Sequence, residues 1–201
     1  MAHETPESRG GVKQYKVKGT HIFQARKWID EHLGEGSFFE LARDLSSSGF
    51  DWPGPILAGS WYDVDPLQEV LAAASARTRR TVENIVTEIA VMNARNDLVS
   101  VYRAFLRVSG PHLTLGATHK LWSNYVAFGE AKAVQNEFGI FVGECYGIPK
   151  KYVPWACGCW GGFIPTAIEI SGGKKCVWEI SFKGRMENSE LWMLRLSAKY
   201  S

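Results

Sequence analysis

The sequence of 201 residues lacks most of the features from which an activity can be read directly. Its formal net charge is only +2, which indicates neither a nucleic acid nor an anionic membrane as a partner. It contains no hydrolase, kinase, nucleotide-binding or zinc-finger signature, and no pair of carboxylates is placed for acid–base work. These absences favour a binding domain over an enzyme.

Long apolar runs are absent and cysteines are few. No run is long enough to cross a bilayer, and the polar first residues lack the apolar core of a secretory signal. Two of the four cysteines, Cys157 and Cys159, are separated by one residue, which strains a disulfide between them. We therefore expect a cytoplasmic protein with reduced thiols.

Aromatic residues are what the sequence has in excess. It contains eight tryptophans, and large stiff rings of this kind form cavity walls as well as cores. The richest stretch runs from Pro154 to Phe163 and predicts a buried helix. Gly161-Gly162 within that helix is unfavourable by about 1 kcal/mol per glycine relative to alanine, so close helix packing or a ligand against the backbone is expected there.

The order of periodicities predicts helices first and strands later. Helices are expected near 22–33, 37–45, 65–74, 81–108, 112–124 and 155–170, and strands near 131–136, 139–146, 175–184 and 190–199. Asp65-Pro66 has the form of a helix start with Asp65 as N-cap. This order is typical of an α+β fold with an N-terminal helical half and a C-terminal antiparallel sheet that carries a packed helix. Residues 1–12 are expected to be a disordered tail, and 13–201 a single ligand-binding-type domain.

Several short segments resemble one protein family in their order and spacing. They are Val17-Lys18-Gly19-Thr20, Ser60-Trp61-Tyr62, Tyr102-Arg103-Ala104-Phe105, Leu121-Trp122, and Trp160-Gly161-Gly162 with Ser171-Gly172-Gly173. Over residues 12–200 the chain resembles a myxobacterial paralogous family of unknown function. That family is related in architecture to heme nitric-oxide/oxygen-binding domains, four-vinyl-reductase domains and small TRAPP subunits. The resemblance implies a fold that binds heme, hydrophobic small molecules or acyl chains, and that commonly dimerises.

The elements that this resemblance brings together carry four aromatic residues. We expect Trp122, Tyr125, Trp160 and Phe163 to line one apolar pocket. The leading hypothesis is therefore a sensory or regulatory domain that binds a small hydrophobic molecule and forms a homodimer. A dimeric structural adaptor with a filled core, similar to the TRAPP subunits, is an alternative.

A second alternative is a heme-based gas sensor. His112-Leu113-Thr114-Leu115 follows Gly110-Pro111, in a context similar to that of the proximal histidine of the heme-binding relatives, and implies His112 as an iron ligand. Those relatives hold the heme propionates with a Tyr-x-Ser-x-Arg motif. This sequence has Tyr146-Gly147-Ile148-Pro149-Lys150 there, which leaves Lys150 and Lys151 as the donors.

The cysteines and the remaining histidines allow further interpretations. Cys157 and Cys159 are candidate metal ligands, because thiolates suit zinc and the four-vinyl-reductase relatives place a cysteine on the corresponding helix. Buried inert thiols are the alternative. His21 is interpreted as a residue on a helix surface.

Overall fold

The structure is a computed structural model that describes residues 15–46, 55–101 and 103–201. The expected tail at 1–12 and Tyr102 lie outside these residues. The first part is built around a two-stranded antiparallel sheet of β1 (Lys16–Lys18) and β2 (Trp61–Asp63). Helices α1 (Gly19–Leu33) and α2 (Ser37–Ser46) follow β1, and α3 (Val64–Thr78) follows β2. The small sheet was not predicted, because three-residue strands carry too little alternation to be recognised.

Three more helices complete the helical half. They are α4 (Val82–Val101), α5 (Arg103–Gly116) and α6 (Thr118–Tyr125). The described residues of the helix expected over 81–108 are helical in α4 and in the first part of α5, and the short helix expected over 112–124 divides between the end of α5 and α6. Gly110 interrupts α5 with a φ of 67°, in the region that favours glycine, and so redirects the chain just before Pro111.

The C-terminal half is a four-stranded antiparallel sheet with one helix. Strands β3 (Glu130–Glu137), β4 (Ile140–Pro149), β5 (Val177–Arg185) and β6 (Leu191–Lys199) lie in the order β3-β4-β6-β5. Helix α7 (Val153–Ile170) contacts α4 and α5 as well as β4, β5 and β6, so it joins the two halves. The predicted α+β class, with helices first and the antiparallel sheet last, is confirmed.

Glycines on α7 allow its close contact with α4. A Cβ atom on Gly158 would lie 2.6 Å from the carbonyl oxygen of Glu83, and one on Gly162 would lie 2.3 Å from that of Thr87. Both distances are far below van der Waals contact, so only glycine allows the two backbones to approach this closely. Gly161 instead faces the ring of Trp178 on β5, at 2.8 Å from the Cβ that a side chain would add. Close packing, rather than a ligand against the backbone, therefore explains the glycines.

One predicted helix start is wrong. Asp63 occupies the N-cap position of α3, and Asp65 lies inside the first turn. There, Asp65 accepts hydrogen bonds from the Tyr152 hydroxyl at 2.7 Å and from Lys151 Nζ at 2.5 Å. The carboxylate thus ties α3 to the segment before α7 instead of capping its own helix.

A continuous hydrophobic core connects the helices to the sheet, with Trp28, Ile85, Trp155 and Leu194 among its buried members. Among the described helices, none is both long and apolar enough to span a membrane.

Candidate functional site

A cavity of about 130 Å³ lies where α1, α3, α4 and α6 of the helical half meet α7. Most of its wall is apolar. The aromatic part of the wall consists of Trp122, Tyr125, Trp155, Trp160 and Phe163.

All four aromatic residues expected to line one pocket lie on the wall of this cavity. The ring of Trp122 is fixed by a hydrogen bond that its Nε1 donates to the carbonyl oxygen of Phe128 at 3.0 Å. Its ring centroid lies 6.1 Å from that of Trp155 and 6.3 Å from that of Trp160. The structure thus brings the four residues together, and their role in ligand binding remains a prediction.

Helix α1 places a histidine in the same wall. His21, interpreted from sequence as a surface residue, is packed edge-on against Trp155 and Tyr125, with ring centroids at 5.4 and 6.0 Å. Burial lowers its pKa from 6.5 to about 4, so the imidazole is neutral near pH 7. Sequence reasoning placed His21 on a helix but facing solvent, because the packing of its ring against Trp155 and Tyr125 has no local signature in the sequence.

Polar atoms without partners are concentrated at this cavity. Within the described residues, six buried side-chain nitrogen or oxygen atoms have no hydrogen-bond partner. Four of them belong to residues of the cavity wall: Thr20 Oγ1, His21 Nε2, Gln24 Oε1 and Asn93 Oδ1. A buried polar group without a partner typically destabilises a protein by about 1–3 kcal/mol, so the concentration of such atoms at one cavity requires an explanation.

Formal charge is missing from the described cavity wall, which contains no Lys, Arg, Asp or Glu. The only ionisable groups there are His21, Tyr125 and the Cys159 thiol. Burial is the main cause that raises the pKa of Cys159 far above its ordinary value, so the thiol stays protonated near neutral pH. The cavity therefore presents neutral groups only.

The two candidate metal ligands do not converge. Cys159 lines the cavity, whereas Cys157 is buried near Lys183 and Glu83, which form an ion pair of 3.5 Å. Residues two apart on a helix point in nearly opposite directions, which explains the divergence. Burial raises the pKa of Cys157 to about 11. Across the part of the chain that the structure describes, no three His, Cys, Asp or Glu side chains gather as a metal site would require. The geometry therefore gives metal binding no support.

His112 lies outside the cavity wall and its side chain is exposed. Its carbonyl oxygen accepts a hydrogen bond from Asn136 Nδ2 at 2.8 Å, which holds the backbone of the second part of α5 against β3. Because the imidazole of His112 is exposed, it is not placed to bind an iron atom inside the cavity.

Neither of the two lysines expected to hold heme propionates lies in the described cavity wall. Lys151 binds Asp65, as described above, and Arg195 donates from Nε to Glu144 Oε1 at 2.6 Å. Burial raises the pKa of Glu144, but hydrogen bonds from Tyr146 and Arg195 outweigh it and leave the pKa below its ordinary value. Glu144 is thus ionised and retains Arg195 as its partner. Lys150 is exposed and is absent from the cavity wall.

Comparison with known proteins identifies the fold. No protein-family profile matches the chain, and no curated protein sequence matches it. Solved structures do match it. One, from a study of heme distortion in the H-NOX family, is 15% identical with a TM-score of 0.68, over 92% of this chain and 95% of that one.

Two further H-NOX structures agree with this result. An oxygen-binding H-NOX domain related to soluble guanylate cyclases is 15% identical with a TM-score of 0.64, over 92% of this chain and 95% of that one. A variant of the T. tengcongensis H-NOX domain is 16% identical with a TM-score of 0.67, over 92% and 98%. The chain therefore has the fold of H-NOX domains, the heme nitric-oxide/oxygen-binding domains of the sequence resemblance.

Proposed function

We propose that this chain is a sensory or regulatory ligand-binding domain, not an enzyme, and that it takes a small hydrophobic molecule into the cavity walled by Trp122, Trp155 and Trp160. One observation carries the proposal: a cavity with tryptophan walls lies at the junction of five helices. Binding of a ligand there would change how these helices pack. Apolar cavities with a few convergent polar groups are the usual form of small-molecule sites.

The size of the cavity limits the ligand. Sites for drug-sized molecules usually measure about 300–1,000 Å³, whereas an engineered dry cavity of about 150 Å³ binds benzene or xenon. At about 130 Å³, this cavity matches the smaller class. A ligand of roughly one aromatic ring is therefore the best fit.

Heme is the second candidate, and the fold likeness to H-NOX domains is the observation that favours it. The residues present do not fit it. A macrocycle exceeds a cavity of about 130 Å³, the described wall has no cation for the propionates, and His112 is exposed. We therefore retain the gas sensor with His112 as an alternative, and we derive no chemistry from it.

The structural adaptor and the homodimer are two further proposals, and the structure supports only the second. A cavity with unpartnered polar atoms is not the filled core that a purely structural adaptor requires. A homodimer is supported by the edge strand β5, where Val177, Trp178 and Phe182 are exposed. Sedimentation equilibrium of the purified chain measures this directly. Membership of the myxobacterial family and a cytoplasmic location likewise remain proposals.

Binding of toluene tests the leading function. Thermal unfolding of the wild-type protein should shift upward with toluene, because a ligand at about 100 times its Kd adds about 2.7 kcal/mol to stability. In Ala25→Leu the added side chain enters the cavity, since Ala25 is buried in its wall, and the shift should be lost.

Ala72→Leu is the matched control, because Ala72 is exposed on α3 and lies outside the cavity wall. It should keep the full toluene shift. The proposed function would be abandoned if toluene left the wild-type transition unchanged, or if Ala25→Leu bound toluene as tightly as wild type.

A further inference from the structure

We infer that the ligand is a neutral single-ring aromatic molecule that carries a hydroxyl or N–H group, as phenol does, and that the unpartnered polar atoms of α1 and α4 recognise it. This inference rests on the proposed function and specifies the chemistry of the same cavity.

The neutral charge of the ligand is inferred from the uncharged residues of the cavity wall. Among the described residues that line the cavity there is no formal charge, and His21, whose Nε2 is buried, is neutral near pH 7. An ion placed there would lose its hydration without gaining an opposite charge, which is strongly unfavourable in a low-dielectric site. A carboxylate such as benzoate is therefore excluded, although its ring would match the aromatic wall.

The polar group of the ligand is inferred from the buried wall atoms that lack hydrogen-bond partners. Thr20 and Gln24 are four residues apart on α1, so they share one face of the helix, and His21 lies beside Thr20. Asn93 extends into the same cavity from α4. Thr20 Oγ1, His21 Nε2, Gln24 Oε1 and Asn93 Oδ1 are all buried and unpartnered. A purely apolar ligand would leave every one of them unsatisfied, whereas a hydroxyl can both donate to an oxygen and accept from a donor.

The aromatic ring of the ligand is inferred from the tryptophan part of the cavity wall. Trp122, Trp155 and Trp160 form a tilted cluster with centroid separations of 6.1 and 6.3 Å about Trp122, and Phe163 belongs to the same wall. Flat rings of this kind favour aromatic partners in offset or edge-to-face arrangements. With a volume of about 130 Å³, one ring fills the space and a second does not fit.

Phenol and toluene separate recognition of the polar group from simple filling of the cavity, because they have nearly the same shape. By isothermal titration calorimetry at pH 7, we expect wild type to bind phenol about tenfold more tightly than toluene, and benzoate not at all. Asn93→Leu keeps the size of the side chain and removes its polar atoms. It should bring the phenol-to-toluene affinity ratio close to one.

Asn84→Leu is the matched control, because Asn84 is exposed on the same helix, and it should keep the tenfold preference. Gln24→Leu serves as a second variant on α1 and should also reduce the ratio.

The outcomes distinguish the two proposals. Equal affinity for phenol and toluene in wild type, with toluene binding blocked by Ala25→Leu, would overturn this inference and leave the proposed function standing. Binding of neither compound would remove the proposed function itself. Benzoate binding as tight as that of phenol would refute the neutral class.

Discussion

At the scale of single residues, His21 has the most measurable consequence. Its pKa is about 4 in the folded protein against 6.5 for the ordinary side chain, because burial disfavours the charged form. Above pH 6.5 both folded and unfolded chains hold it neutral, so it contributes no pH dependence there. As the pH falls from 6.5 towards 4, the unfolded chain gains a proton that the folded chain resists, and stability decreases.

The free energy of unfolding should therefore decrease by about 2 kcal/mol between pH 7 and pH 5 through His21 alone. Urea denaturation of wild type and His21→Gln at both pH values isolates this contribution, since glutamine does not titrate. His112→Gln, at an exposed histidine, should keep the wild-type dependence. Identical losses in wild type and His21→Gln would contradict a buried neutral imidazole.

Residue patterns predicted the apolar wall of the cavity better than its polar groups. Trp122, Tyr125, Trp160 and Phe163 could be grouped in advance, because large aromatics on elements of a resembled fold have few places other than a core or a cavity. Gln24 and Asn93 could not be assigned to the cavity in advance. A polar residue within an amphipathic helix is usually exposed, and only the packing of α1 against α4, α6 and α7 shows that these two face inward.

At the scale of elements, the contact of α4 with α7 sets the depth of the cavity. Gly158 and Gly162 occupy one face of α7 and contact the backbone of α4. Residues on both helices that flank this contact, such as Val86 and Ile164, line the cavity. A change in the separation of the two helices therefore changes the volume available to a ligand.

Gly162→Ala tests this contact. Alanine favours a helix by about 1 kcal/mol over glycine, but its Cβ would lie 2.3 Å from the Thr87 carbonyl oxygen, which belongs to the backbone and yields only if α4 moves. Overpacking of this kind typically destabilises by about 1–3 kcal/mol, so we expect a net loss of stability in urea denaturation.

Gly59→Ala is the control, because no atom lies within 4 Å of the Cβ it would add. It should unfold at the wild-type urea concentration. A Gly162→Ala variant as stable as wild type would show that α4 and α7 can separate without loss.

Element boundaries were predictable where a local signal marks them. Gly34 ends α1 as its sequence indicates, and the strand pairs of the sheet follow their alternation. The separation of α5 from α6 was missed, because the apolar periodicity continues across it and no local signal marks a break.

At the scale of the whole molecule, fold and cavity lead to different expectations. The fold is that of H-NOX domains, which the chain matches at 15% sequence identity. A shared fold does not determine the ligand. Function resides in the site, and this site is small, neutral and lined by tryptophan. The sequence indicated the fold through the order and spacing of its segments, whereas the volume of the cavity depends on how five helices pack and has no local signature.

Hemin titration tests which expectation holds for the intact protein. We expect wild type and His112→Ala to give the same weak, non-saturating absorbance, since a cavity of about 130 Å³ does not admit the macrocycle and His112 is exposed. The described wall also offers no cation to the propionates, so no specific site should compete with adsorption at the surface. Ala25→Leu should behave identically, because narrowing a cavity that heme does not enter changes nothing. A sharp Soret band in wild type that is lost in His112→Ala would reverse this conclusion. It would show that the helical half opens to a second packing, and it would make the gas sensor the leading function.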